Sequence, residues 1–190
     1  MFGKWLMGFV FLLTAGASCV GAQQANPPAA VPPVLKLTIA SFPDGGAVAT
    51  QNTCAGQSLS PQLAWSNVPK DTASFAVILH GTDVHPDKGM YDETFWLLWN
   101  IPASATQLPE GLPAKNQLPD GSQQATGTRN VVGYRAPCPP PGSGPHHYVY
   151  ELYALDQKLD LGPTATRADI MKAMDGHIVG SSAYVGVFHR

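Results

Sequence analysis

Charge is what this chain has least of. Asp, Glu, Lys and Arg make up 13% of its 190 residues, about half the usual share. Its 11 Lys and Arg form no basic run, so it lacks the electrostatic footprint of a nucleic-acid binder. Long apolar stretches are also missing. Residues 6–13 are apolar except for Gly8, well short of the ~20 residues that span a bilayer. There are three cysteines and no C-x-x-C spacing. No G-x-S-x-G, P-loop, G-x-G-x-x-G or H-E-x-x-H motif occurs, which removes the usual signatures of serine hydrolases, nucleotide binders and zinc proteases. The chain reads as a non-enzyme that needs no cofactor.

What is plentiful is glycine, 19 residues, and proline, 18 residues. Both punctuate a chain into turns and short strands. Lys4, the apolar run and the small residues Val20-Gly21-Ala22 have the order of a secretory signal, cleaved before Gln23. A second reading acylates Cys19, but Gly16 stands where such signals place an aliphatic residue. The exported reading, periplasmic or secreted, is therefore preferred to a lipoprotein or a retained anchor. Cleavage would leave Cys54 and Cys138, an even count in an oxidising compartment. Their spacing does not decide between a disulfide and two separate thiols. Residues 23–33 (QQANPPAAVPP) form an uncharged Pro/Ala-rich leader. A single domain should occupy residues 34–190, with no stable membrane span after cleavage.

Strand patterns recur within that domain. Residues 34–39 alternate apolar and polar. Residues 75–79 (FAVIL) and 95–101 (FWLLWNI) are continuous apolar runs, as in strands buried on both faces. Residues 62–65, 147–155 and 183–188 add three more. One helix is indicated: Thr166 and Asp169 form a capping-box pattern, and Ile170, Ala173, Met174 and His177 share one face. Its simplest role is to cover a sheet edge or face. Residues 103–129 are polar and read as a long surface excursion with room for a weak strand inside. His80, Asp83, His85 and Asp87 cluster within eight positions. Their spacing fits no specific metal pattern, so a solvated loop is the simpler reading.

Three stretches are more specific. Thr53-Cys54-Ala55-Gly56 with residues 60–69 (SPQLAWSNVP), then residues 75–86 and 95–102, then residues 133–142 (GYRAPCPPPG) with His146-His147-Tyr148 and residues 152–156 (LYALD), resemble the phosphatidylethanolamine-binding protein family in its bacterial Raf-kinase-inhibitor-like branch. The resemblance covers residues 35–190. It implies an antiparallel Greek-key β-sandwich of two sheets, mainly β, with small peripheral helices. It also implies a pocket for a small anionic ligand or lipid head group. A protein–protein module, such as an envelope protease inhibitor, is the alternative reading and would bring a protein partner.

Carried over residue by residue, the family pocket is only partly kept. Asp83, His146 and Tyr148 match its polar positions, Pro139 its Pro-rich wall, and Cys138 lies beside that wall. Gly81 replaces an acid, and Phe95 replaces an imidazole. This predicts a more apolar pocket with weaker hold on phosphate. His80 adjoins Gly81, but neighbours on a strand face opposite sides. His146 and Tyr148, two apart, should share a face.

Overall fold

The computed structural model describes Met1, Gly3, residues 34–85 and residues 88–190. The predicted signal and leader lie almost wholly outside the described residues, as do Pro86 and Asp87. In chain order the strands are β1 (Lys36–Ile39), β2 (Gly46–Ala47), β3 (Leu63–Ser66), β4 (Ser74–Gly81), β5 (Glu93–Pro102), β6 (Gln107–Leu108), β7 (Gln123–Ala125), β8 (His146–Leu155) and β9 (Ile178–Phe188). Helix α1 (Arg167–Met174) precedes β9, and a 3-10 turn (Thr50–Asn52) follows β2.

Two sheets result, mainly antiparallel. The smaller has the order β1-β3-β6 and the larger β2-β9-β8-β4-β5-β7. β2 joins β9 in parallel, so the larger sheet is not purely antiparallel. Alternation decides what β1 buries: Leu37 and Ile39 point inward while Lys36 and Thr38 face solvent. β4 is buried at every position, because both faces of the large sheet are covered. On one face, Leu37, Leu63 and Trp65 from the small sheet pack with Phe75, Val77, Leu79, Trp96 and Tyr150. On the other, Ile170 and Met174 of α1 cover Ala76, Ile78, Leu97 and Trp99. A fully buried side chain of this size contributes about 1.5–3 kcal/mol, so these two layers supply most of the driving force.

The predicted capping box forms at α1. The Thr166 side chain accepts from Asp169 N, and the Asp169 carboxylate accepts from Thr166 N at 2.9 Å. The helix ends at Met174, so His177 leaves the predicted helical face and meets Asp156 instead, 2.9 Å away. Residues 103–129 are not a mere surface excursion. They hold β6, β7 and the fully buried Gln124, whose Oε1 accepts from Trp96 Nε1 at 2.7 Å. Gln124 also donates to Pro113 O and Lys115 O, so one polar side chain replaces the apolar pattern that would have revealed this packing.

One irregularity positions the site. Along β4 and β5, Leu79 pairs with Trp96 and His80 with Thr94, leaving Phe95 as an extra residue. Such a β-bulge turns a side chain to the other face. Phe95 and Trp96 therefore both join the core between the sheets, whereas Leu97 joins the one beneath α1.

Candidate functional site

At the end of the large sheet where β8 begins, a cavity of about 420 Å³ opens. The bulged Phe95 forms its floor with Tyr148, the two rings meeting edge-to-face at 5.1 Å. His146 and Tyr148 both line it, as their spacing on one strand requires. Cys138, Pro139 and Pro140 form a wall. Burial, with the nearby Glu93 carboxylate, pushes the Tyr148 phenol up to about 12. At neutral pH it is a hydrogen-bond donor and not a phenolate.

The remaining wall is cationic. Arg129, Arg135 and Arg190 all line the cavity, against the single carboxylate of Glu93 among the described lining residues. The Arg135 guanidinium lies flat on Phe95, its Cζ 3.6 Å from the ring centroid, a cation–π geometry that suits arginine. Glu93 Oε1 accepts from Arg129 Nε at 2.9 Å. Arg135 Nη2 forms an ion pair with that same oxygen at 2.9 Å, and Arg135 Nε is buried without a hydrogen-bond partner. Burial pulls the Arg135 guanidinium below its ordinary value, while Glu93 pulls it up; an arginine stays charged throughout. A buried guanidinium with an unused donor is costly.

Two predicted residues stand elsewhere. Asp83 does not line the cavity: its Oδ2 accepts from His147 N at 2.5 Å and its Oδ1 faces His147 Nδ1 at 3.2 Å. Burial raises this carboxyl, but the bonds from His147 and the two nearby histidines outweigh it, and the net shift is downward. Gly81 lies beneath Phe95 and not at the cavity surface. A Cβ there would stand 2.9 Å from Phe95 Cε2, so the residue types at positions 81 and 95 constrain each other. Phe95 fills that space, and the Arg135 guanidinium is stacked on its ring.

His80 faces the opposite side of the sheet. Its Nδ1 is 2.6 Å from Asp92 Oδ2 and its Nε2 3.5 Å from Glu151 Oε2, and Arg167 Nη1 binds Asp92 Oδ1. His80 and Asp83 thus have separate partners, and no metal-binding group of His, Cys, Asp or Glu forms among the described residues.

Cys54 and Cys138 are joined by a disulfide with Cα atoms 5.3 Å apart. Cys54 N also donates to Pro137 O at 3.1 Å. Together they fix the proline wall to the segment after the 3-10 turn. On the other side of the wall, Arg190 Nε donates to Pro139 O at 2.8 Å.

The sequence reading missed Glu93, Arg129, Arg135 and Arg190. A signal existed for one of them: Arg135 sits inside the motif at residues 133–142, in a chain poor in charge. Arg129 had none. It occupies φ 73°, a left-handed conformation that costs a non-glycine residue about 1–3 kcal/mol and that brings its side chain to Glu93.

The family model described as phosphatidylethanolamine-binding protein matches residues 38–189. A protein of Methanothermobacter thermautotrophicus, named UPF0098 protein, is 40% identical over 156 residues, 82% of this chain and 99% of its own. The Mycobacterium tuberculosis protein LppC, named as a candidate lipoprotein, is 34% identical over 163 residues, 85% of this chain and 74% of its own. Among solved structures, the homologue CT736 of Chlamydia trachomatis superposes with a TM-score of 0.74 and 29% identity, covering 83% of this chain and 98% of that one. YbcL of E. coli does so at 0.73 and 27%, covering 82% and 98%.

Proposed function

This chain belongs to the phosphatidylethanolamine-binding protein family, and from that premise we propose that it is an exported protein whose cavity binds a small oxyanion. The observation that carries this reading is the cationic wall: Arg129, Arg135 and Arg190 line the cavity beside one side-chain carboxylate, with the Arg135 guanidinium held on the Phe95 ring. Tyr148 adds a protonated phenol and His146 an imidazole on the same face. The role is binding and not catalysis. Cys138 is held in a disulfide and is no nucleophile, and a phenol raised to about 12 is a poor base at neutral pH.

Export rests on the signal pattern at residues 1–22. The name of LppC supports the envelope and favours Cys19 acylation more than the sequence pattern does. No helix among the described residues is long and apolar enough to cross a membrane.

Thermal unfolding of the residue 34–190 domain with and without inorganic phosphate tests the binding. At about 100-fold Kd the linkage is about 2.7 kcal/mol, a rise of roughly 5–10 °C for a domain of this size. No rise at tens of millimolar phosphate, against a chloride control of equal ionic strength, would refute the oxyanion reading. The intact mass of the envelope-purified protein tests export: cleavage before Gln23, acylation at Cys19, or an uncut chain, the last of which refutes it.

A further inference from the structure

The lining carries more positive charge than a phosphate ester with an amine can use. Three guanidinium groups face one carboxylate among the described lining residues, and that carboxylate is already shared by Arg129 and Arg135. A cationic ligand group entering beside them would find no free acceptor of negative charge and would meet like charge at short range. A dianion, in contrast, balances the surplus. A phosphomonoester is close to dianionic above its second pKa of about 6, whereas a phosphodiester carries one charge. The cavity, about 420 Å³, is far larger than a phosphate group. Val84, Pro139 and Pro140 supply the apolar surface against which an attached organic group would lie.

Resting on the oxyanion reading above, we infer that this cavity selects an organic phosphomonoester dianion without an ammonium group, and rejects the zwitterionic ethanolamine-type head group. Arg135 is the specificity-determining residue, because its lining guanidinium is fixed in place by stacking on Phe95 and by the ion pair with Glu93. Arg129, with two-thirds of its side chain exposed, adds charge but little shape.

Titration calorimetry at pH 7.5 and fixed ionic strength would compare propyl phosphate, O-phosphoethanolamine and glycerophosphoethanolamine. The inference requires propyl phosphate to bind at least tenfold more tightly than O-phosphoethanolamine, with glycerophosphoethanolamine weakest. It also requires Arg135→Gln to shrink the first preference by threefold or more. Arg129→Gln, at an exposed position, should shrink it less and serves if Arg135→Gln does not fold. Equal or tighter binding of O-phosphoethanolamine, or an unchanged preference in the variants, overturns the inference and leaves the oxyanion site standing. Failure of all three ligands and of inorganic phosphate removes both.

Discussion

Two charged clusters flank the same end of the large sheet, one on each face. On the cavity face, three guanidinium groups meet one carboxylate, and Arg135 Nε is buried without a hydrogen-bond partner. On the α1 face, Asp92 and Glu151 stand against Arg167 and His80, and the Asp92 carboxylate meets both Arg167 Nη1 and His80 Nδ1, although Arg167 Nε and His80 Nε2 are also buried without hydrogen-bond partners. Adjacent residues Asp92 and Glu93 begin the two clusters. The difference is one of balance. A matched set of buried charges holds an element in place, here the N-terminal turn of α1 over the sheet. A mismatched set beside open space is poised to bind an ion of the missing sign.

The largest test addresses the frame around the cavity. The disulfide closes a loop with a sequence separation of 84, and loss of such a cross-link costs about 3–5 kcal/mol. Cys54→Ser with Cys138→Ser should lower the denaturation free energy by that amount and weaken phosphate binding, as the proline wall loses its tether. The α1 cluster should respond next. Arg167→Met leaves Asp92 short of a partner, and breaking a buried pair costs on the order of 3 kcal/mol. Phosphate affinity should not change. Arg135→Met is the counterpart: it breaks the ion pair with Glu93, and stability should fall by less than in Arg167→Met, since Arg129 stays on Glu93 and a buried donor without a partner is removed. Phosphate affinity should fall tenfold or more. Urea titration and calorimetry on the two variants decide the matter; equal stability losses would erase the contrast drawn between the faces.

A subtler test concerns Gly81 and Phe95. Gly81→Asp alone forces a Cβ against the Phe95 ring and should cost about 1–3 kcal/mol through overpacking. Adding Phe95→His should recover at least 1 kcal/mol of this. Additive effects in the double-mutant cycle would mean the two positions are independent.

The smallest effect belongs to Asp83. Its carboxyl pKa in the folded protein lies below the ordinary 3.8, so its contribution is fully present above that pH and is lost as pH falls through the folded value. The stability advantage of wild type over Asp83→Asn should shrink as pH falls below 3.8. An advantage that grew below that pH would contradict the bonds from His147.

Much of the fold was legible because it rests on local pattern. The apolar runs at residues 75–79 and 95–101 became β4 and β5, and the Thr166–Asp169 box opened α1. The short strands β2, β6 and β7 were not legible: two or three residues carry no periodicity, and β7 is anchored by a buried Gln124 that looks polar in sequence. The site was half legible. The positions of Phe95, Cys138, Pro139, His146 and Tyr148 followed from motif and strand alternation, whereas the place of Asp83 did not.

The sequence by itself determined the long strands, the helix start and the family, because each is written in residue type and order. Tertiary structure alone decided the lining of the cavity. A single extra residue on β5 turns Phe95 into the cavity, and loops more than thirty positions downstream lay Arg129 and Arg135 against Glu93 and Phe95. Neither bulge register nor the meeting of distant charges leaves a periodic trace along the chain, since both are set by packing between strands.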